Sequence, residues 1–287
     1  MPALPLAEAG PVLDRLDPLV LFSDVDGTLV GRGGSLLAGL DGAPTLAAAE
    51  ALVEAARAGL EVVLVSGRTA PQLREATRLL GLRDAVGEVG AVLLSGGRAE
   101  LQWGAAPREL GATPAEAIKR SGALAGLLDA FRGRLEPHAP WHLDRQVSHL
   151  FRGLVEPAEA NELLAREGHG AVRLVDNGAI PSSETDLSLD GQPHAYHLVP
   201  AEASKAGAVA RHMQVRGYAP GECIGVGDSR EDLDVAARVG RFYLVANALE
   251  KDLGLREAAA VHENVEITEA GHGEGFYEAV VGALMHS

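Results

Sequence analysis

Leu19-Val20-Leu21-Phe22-Ser23-Asp24-Val25-Asp26-Gly27-Thr28 opens on four apolar residues and stops at a polar loop holding two aspartates and a glycine. A short apolar run bounded in this way reads as a buried strand with Asp24 at its carboxyl end. Gly27 permits a sharp turn there, so Asp24 and Asp26 can serve one centre. Near a cation, two such carboxylates can divide labour, one as an ionised nucleophile and one as acid and base. The plain alternative is a solvated loop. A fixed Asp-x-Asp-Gly-Thr string arises by chance on the order of once in 10⁵ positions at average composition, which counts against that alternative.

The same beat continues downstream. An amphipathic helix is predicted over Pro44 to Ala58 with Gly59 ending it, then a buried strand over Glu61 to Val65 that stops at Ser66-Gly67-Arg68. A helix over Pro71 to Leu80 follows, closed by Gly81. Strand, helix, strand, helix predicts right-handed crossovers in a parallel sheet, an α/β, Rossmann-like doubly wound core whose functional residues gather beyond the strand ends. The beat then breaks. A hairpin is expected between Glu88 and Trp103 around Ser95-Gly96-Gly97, a helix over Pro114 to Phe131, and strands over Val147 to Val155, Ala171 to Asp176 and His194 to Val199. Pro157 to Glu167 supplies a helix among these strands, and Asp176-Asn177-Gly178 reads as a turn. The beat resumes with a helix over Ser204 to Arg216, a strand over Glu222 to Val226, a turn at Gly227-Asp228-Ser229 and a helix over Arg230 to Val239. Further strands over Phe242 to Val245 and Ala259 to His262 and a helix over Gly275 to Leu284 complete the reading. The expectation is a core of residues 1–85 and 200–287 interrupted by an α+β insert of residues 86–199.

Composition bounds the partners. With 40 acidic against 25 basic residues in 287, the formal charge is −15, which disfavours nucleic acid. Cys223, the single cysteine, cannot form an internal disulfide; no apolar run reaches membrane-spanning length; Met1 to Pro11 lacks the pattern of a secretory signal. A cytoplasmic protein with no membrane partner is expected, and its oligomeric state is not legible. Lysine occurs only at positions 119, 205 and 251.

Asp228 and Asp232 lie four apart at a predicted helix start, where acids cap the helix or hold a hard cation such as Mg²⁺. Ser66 and the free N–H groups of the turn after it can hold a phosphate or simply cap a helix. Lys205 opens a helix, where its charge opposes the helix dipole, so a role on an anion is the stronger reading.

Asp24-Val25-Asp26-Gly27-Thr28, Ser66-Gly67-Arg68, Ser204-Lys205 and Gly227-Asp228-Ser229-Arg230-Glu231-Asp232 resemble, in this order, the four motifs of the haloacid dehalogenase (HAD) superfamily of phosphatases. The insert falls where that family carries a C2-type cap. Glu88-Val89-Gly90-Ala91, with valine where asparagine is usual, and Gly271-His272-Gly273-Glu274-Gly275 are similar to elements of its Cof-like branch, to which sucrose-phosphate and mannosyl-phosphoglycerate phosphatases are related. The resemblance implies that Asp24 attacks phosphorus to form an aspartyl-phosphate, and that Asp26 protonates the leaving alkoxide and then activates water. It implies that Mg²⁺ is held by Asp24, the Asp26 carbonyl and Asp228, with Asp232 in support. Gly27, Ser66, Gly67 and Lys205 would then bind the phosphoryl group of a small phosphorylated metabolite, for instance a sugar phosphate. An aspartate at position 26 favours phosphate esters over haloalkanoates, because a halide leaves without a proton.

Discrimination among esters must come from outside the core motifs. Arg68 and Glu88 are candidates by position, and the insert adds Trp141-His142-Leu143-Asp144-Arg145 and Val147 to Arg152. His149 and Arg152 are the two ranked first there, although strand alternation puts them on opposite faces. A phosphomutase and a non-catalytic sugar-phosphate sensor are the rival readings. Free phosphate release separates the first, and the intact set of motif residues argues against the second. A dinucleotide fingerprint fails because Arg230 replaces its third glycine, and neither a P-loop nor a Gly-x-Ser-x-Gly elbow occurs.

Overall fold

The structure, a computed structural model, describes residues 20–285. Leu19 and the stretch from Met1 to Pro11 lie outside the described residues. From the N-terminal side, strand β1 (Val20–Asp24) is buried along its whole length, as its apolar run requires. Helix α1 (Ala47–Ala58) ends at Gly59 in the left-handed region at φ 79°, and strand β2 (Glu61–Val65) follows. Helix α2 (Ala70–Leu80) starts at Thr69, whose side chain and that of Gln72 form a capping box.

Strands β3 (Ala85–Gly87), β4 (Val92–Ser95) and β5 (Arg98–Leu101) form an antiparallel meander, with the hairpin turning at Gly96 and Gly97. Glu88 does not begin a strand as expected. It opens a tight turn in which both Glu88 and Val89 have positive φ, 50° and 52°. The helix expected over Pro114 to Phe131 is two, α3 (Pro114–Arg120) and α4 (Ala123–Ala130), because Gly122 at φ 93° breaks it.

Strand β6 (Leu135–Pro137) was hidden by its proline, which an edge position tolerates. Then come β7 (His149–Gly153), α5 (Pro157–Arg166), β8 (Val172–Ala179) and β9 (His194–Pro200). Asp176-Asn177-Gly178 is a bulge inside β8 and not a chain reversal: the register to β9 shifts between Asp176 and Ala179, and the Gly178 amide donates to Asp176 Oδ1.

Helix α6 (Lys205–Arg216), strand β10 (Cys223–Gly227), helix α7 (Arg230–Leu233) and strand β11 (Arg241–Leu244) restore the βα beat. α8 (Ala248–Lys251), α9 (Leu255–Ala259), β12 (Val265–Ile267) and α10 (His272–Met285) close it. The strand expected over Ala259 to His262 is therefore wrong. Its alanines finish a helix, as their propensity favours, and the strand lies three residues later in a half-exposed edge segment without an apolar run.

The chain divides into two compact units, one running to Leu64 and resuming at Met213, the other Val65–His212. The first carries strands in the order β12-β11-β10-β1-β2, with β1, β10, β11 and β12 paired in parallel and α1 packed on α10. The second holds the β3-β4-β5 meander and a separate antiparallel sheet, β6-β7-β9-β8. One face of that sheet presents Phe151, Leu174, Tyr196 and Leu198 to Ile118, Leu127 and Leu164 of the helices, forming one apolar core. Tyr196 keeps its hydroxyl satisfied there by donating to the Val155 carbonyl at 3.0 Å. The architecture is thus the expected α/β, a parallel Rossmann-like sheet accompanied by an α+β element.

Candidate active site

In the first unit, parallel register places the candidate residues. Ser23 of β1 pairs with Val226 of β10, and Gly227 pairs with Leu244 of β11, so the three strands end level with one another. Asp24 ends β1 and Asp228 directly follows β10. With Asp232, from the first turn of α7, they form a buried group whose ligand oxygens all lie within 4.8 Å of one another. This donor set is carboxylate only, which suits a hard cation and not zinc or copper.

The loop around the group is fixed locally. Ser229 caps α7, and Asp232 Oδ2 accepts from the backbone amides of Asp228 at 3.2 Å and Ser229 at 3.1 Å. Ser229 and Asp232 thus realise the capping reading, and the three-acid group is one that could hold a cation. Past β1 the chain turns as the Val30 amide donates to the Val25 carbonyl at 2.9 Å, and Asp26 is exposed while Asp24 is buried. Gly27 sits in this turn at φ 95°, where an added Cβ would overlap Asp228 Oδ2.

Two residues not singled out from sequence complete this unit's site. The Asn247 side-chain amide donates to the Gly27 carbonyl at 2.9 Å, and its oxygen accepts from the His272 amide at 2.8 Å. One helical turn on, Lys251 pairs with Asp228 Oδ2 and brings positive charge to the acidic group. The signal for Asn247 was available, because it lies just beyond the carboxyl end of β11, as Asp228 lies beyond β10 and Asp24 stands at the end of β1.

In the second unit, the loop Ser66-Gly67-Arg68 stands between β2 and α2. Thr69, not Ser66, caps α2, so capping does not account for the serine; its Oγ accepts from the Arg68 amide at 3.2 Å. Lys205 is buried at the first position of α6. Gly67 is crowded: an added Cβ would lie 2.9 Å from His197 Nε2 and 3.0 Å from Asn177 Nδ2. Burial holds the His197 imidazole well below its ordinary range, reinforced by the charges of Arg145, Lys205 and His138, so it is neutral at pH 7.

The four residues suggested for discrimination fall differently. Arg68 is half-buried within the loop. Glu88 is fully buried, and its carboxylate accepts from the amides of Gln146, Val147 and Ser148 and from Ser148 Oγ at 2.7–3.1 Å. Those bonds tie the positive-φ turn at Glu88 to the Gln146, Val147 and Ser148 segment. His149 Nε2 bonds the Ala115 carbonyl at 2.9 Å, and Arg152 pairs with Glu136 at 2.7 Å. Arg145, within a stretch noted for its density of contacts but not chosen, reaches the Gly67 carbonyl at 3.0 Å.

No family model matches the chain. A haloacid dehalogenase-like hydrolase from Bacteroides thetaiotaomicron superposes with a TM-score of 0.60 at 14% identity, covering 93% of this chain and 98% of that one. The chain has the haloacid dehalogenase-like hydrolase fold. Sucrose-phosphatase from Synechocystis, solved with sucrose and phosphate, shares it with a TM-score of 0.63 at 17% identity over 93% of this chain and 98% of that one. A phosphoglycolate phosphatase from Methanoculleus marisnigri is 27% identical over 265 residues, 91% of this chain and 94% of that protein. By fold and sequence together this HAD-like chain groups with phosphoric monoester hydrolases. No helix among the described residues is long and apolar enough to cross a membrane.

The turn at Gly27 gives a stability prediction. Gly27→Ala forces a Cβ into the left-handed region and onto Asp228, so thermal unfolding should show a loss of roughly 1–3 kcal/mol. An unfolding midpoint equal to that of the wild type would show that the loop relaxes freely.

Proposed function

We propose that this protein is a Mg²⁺-dependent phosphatase acting on a small phosphate monoester through an aspartyl-phosphate on Asp24. The observation that carries the proposal is the buried group of Asp24, Asp228 and Asp232 at the carboxyl ends of parallel strands. Under this reading residues 1–85 and 200–287 are the catalytic core and residues 86–199 its cap.

Asp24, as a carboxylate, attacks phosphorus in line with the ester oxygen, and the P–O bond to the leaving group breaks. Asp26, exposed beside the buried Asp24, donates a proton to the departing oxygen. The same carboxylate then removes a proton from the water that attacks the phosphoaspartate, releasing phosphate and regenerating Asp24. Ser66, the loop amide of Gly67 and Lys205 bind phosphoryl oxygens, with Gly27 keeping the nucleophile loop close. Asp24, the Asp26 carbonyl and Asp228 are the ligands proposed for Mg²⁺, and Asp232 holds the Asp228 loop in place. The bound cation supplies charge neutralisation between the anionic ester and the anionic nucleophile.

Among small esters, 2-phosphoglycolate is the first to test, because full-length relatives are named for it. The decisive measurement is phosphate release from 2-phosphoglycolate and p-nitrophenyl phosphate with Mg²⁺, after chelation, and after Mg²⁺ is restored. Chelation should abolish release and restoration should recover it. Release that persists through thorough chelation would refute the metal-dependent mechanism, and transfer between positions without free phosphate would favour a mutase.

A further inference from the structure

We propose that Arg145 binds a carboxylate on the leaving group, which restricts the substrate to short phosphate esters that carry a carboxylate a few bonds from phosphorus. This rests on the phosphatase reading and narrows it. Three observations lead to it.

First, Arg145 is a half-buried guanidinium held by neutral groups. Nε donates to the Trp141 carbonyl at 2.9 Å, and Nη1 donates to the Gly67 carbonyl at 3.0 Å and to Ser148 Oγ at 3.1 Å. Among the described residues no carboxylate pairs with it; the nearby Glu88 is committed to the Gln146, Val147 and Ser148 amides. Burial pushes the Arg145 pKa down to about 10 against the opposing charge of Glu88. A half-buried cation without its own anion is suited to receive one, and with Nε and Nη1 committed to the protein its two Nη2 N–H donors are left to hold a carboxylate oxygen.

Second, the position is set relative to the phosphate loop. The Arg68 amide donates to Ser66 Oγ, and Arg145 donates to the carbonyl of the same peptide unit, on the Gly67 side. In a trans peptide these two groups point in opposite directions. Ser66 Oγ and Arg145 Nη1 therefore lie on opposite sides of one peptide unit, less than about 9 Å apart from the bond lengths involved. That arrangement serves two separate anionic groups on one short molecule better than a single phosphoryl.

Third, the guanidinium is held ready. Asp144, next to it, is at φ 57°, and Nε ties back to Trp141 at the start of the same turn. The neutral His197 and Asn177 border Gly67 and add no negative charge.

The test compares 2-phosphoglycolate with ethyl phosphate, which has a methyl group in place of the carboxylate, using wild type, Arg145→Ala and Arg145→Lys. The wild type should prefer 2-phosphoglycolate in kcat/KM by on the order of 100-fold. Arg145→Ala should erase most of that ratio, mainly through KM, while Arg145→Lys should recover part of it. Calorimetric binding of 2-phosphoglycolate to the same three proteins gives a readout independent of turnover, and should weaken in the same order. Equal losses on both esters in both variants would show a structural role and overturn the proposal. A wild type that hydrolyses both esters equally well would also overturn it while leaving the phosphatase reading intact. If no ester, p-nitrophenyl phosphate included, is hydrolysed with Mg²⁺, the phosphatase reading fails, and unchanged binding in the variants then removes the Arg145 site as well.

Discussion

Asp24→Asn should release no measurable phosphate from p-nitrophenyl phosphate or 2-phosphoglycolate, a loss on the order of 10³-fold or more. A carboxamide is a poor nucleophile, so the step that forms the phosphoaspartate disappears and Asp26 has no intermediate to resolve. The substitution also removes one of three carboxylates from a buried group whose oxygens lie within 4.8 Å of one another. It relieves like-charge repulsion, so the metal-free variant should unfold at no lower temperature than the metal-free wild type. Thermal scans with and without Mg²⁺ check this, and the wild type should gain more from the cation than the variant. Turnover by the asparagine variant within tenfold of wild type would exclude Asp24 as the nucleophile.

Asp26→Asn should separate substrates by leaving group. For an alkyl ester such as 2-phosphoglycolate, the departing alkoxide is strongly basic and needs a proton as the P–O bond breaks. Loss of the acid should cost about 10²–10⁴ in turnover. p-Nitrophenolate leaves without a proton, so the first half-reaction should survive. The second half-reaction still needs a base to activate water, so rapid-mixing experiments should show a burst of one nitrophenolate per site followed by slow turnover. The exposure of Asp26 beside the buried Asp24 gives this division a structural basis. A proportional loss on both esters with no burst would mean that position 26 acts only through the shape of the Gly27 turn.

Much of this site was legible before any coordinates because its chemistry lies in short contiguous strings at strand ends. The run up to Asp24 and the run up to Gly227 are buried strands whose polar stop is abrupt, and hydrophobic pattern detects that edge well. Pattern failed where burial and polarity part company. Ala259 looked like strand because it is apolar, yet the true edge strand Val265–Ile267 is half-exposed with a glutamate at its centre. Pro137 hid a strand for the converse reason, since an edge position excuses a missing donor. Position makes Glu88 a candidate contact to substrate, and what no local pattern shows is that its carboxylate takes up three consecutive amides around Ser148. Asn247 obeys the strand-end rule but lies outside the four motif strings.

The sequence by itself determined the fold class and the candidate reactive residues, because strand ends, turn glycines and paired aspartates are written within a few positions of one another. Only the tertiary structure decided which side chains outside those strings accompany them. Arg145 reaches a carbonyl 78 residues away, and Asn247 one 220 residues away. Such contacts depend on register between elements distant in the chain and on which buried charge already has a partner. Neither quantity leaves a local pattern in one sequence, whereas both are fixed once the strands pair and the loops close.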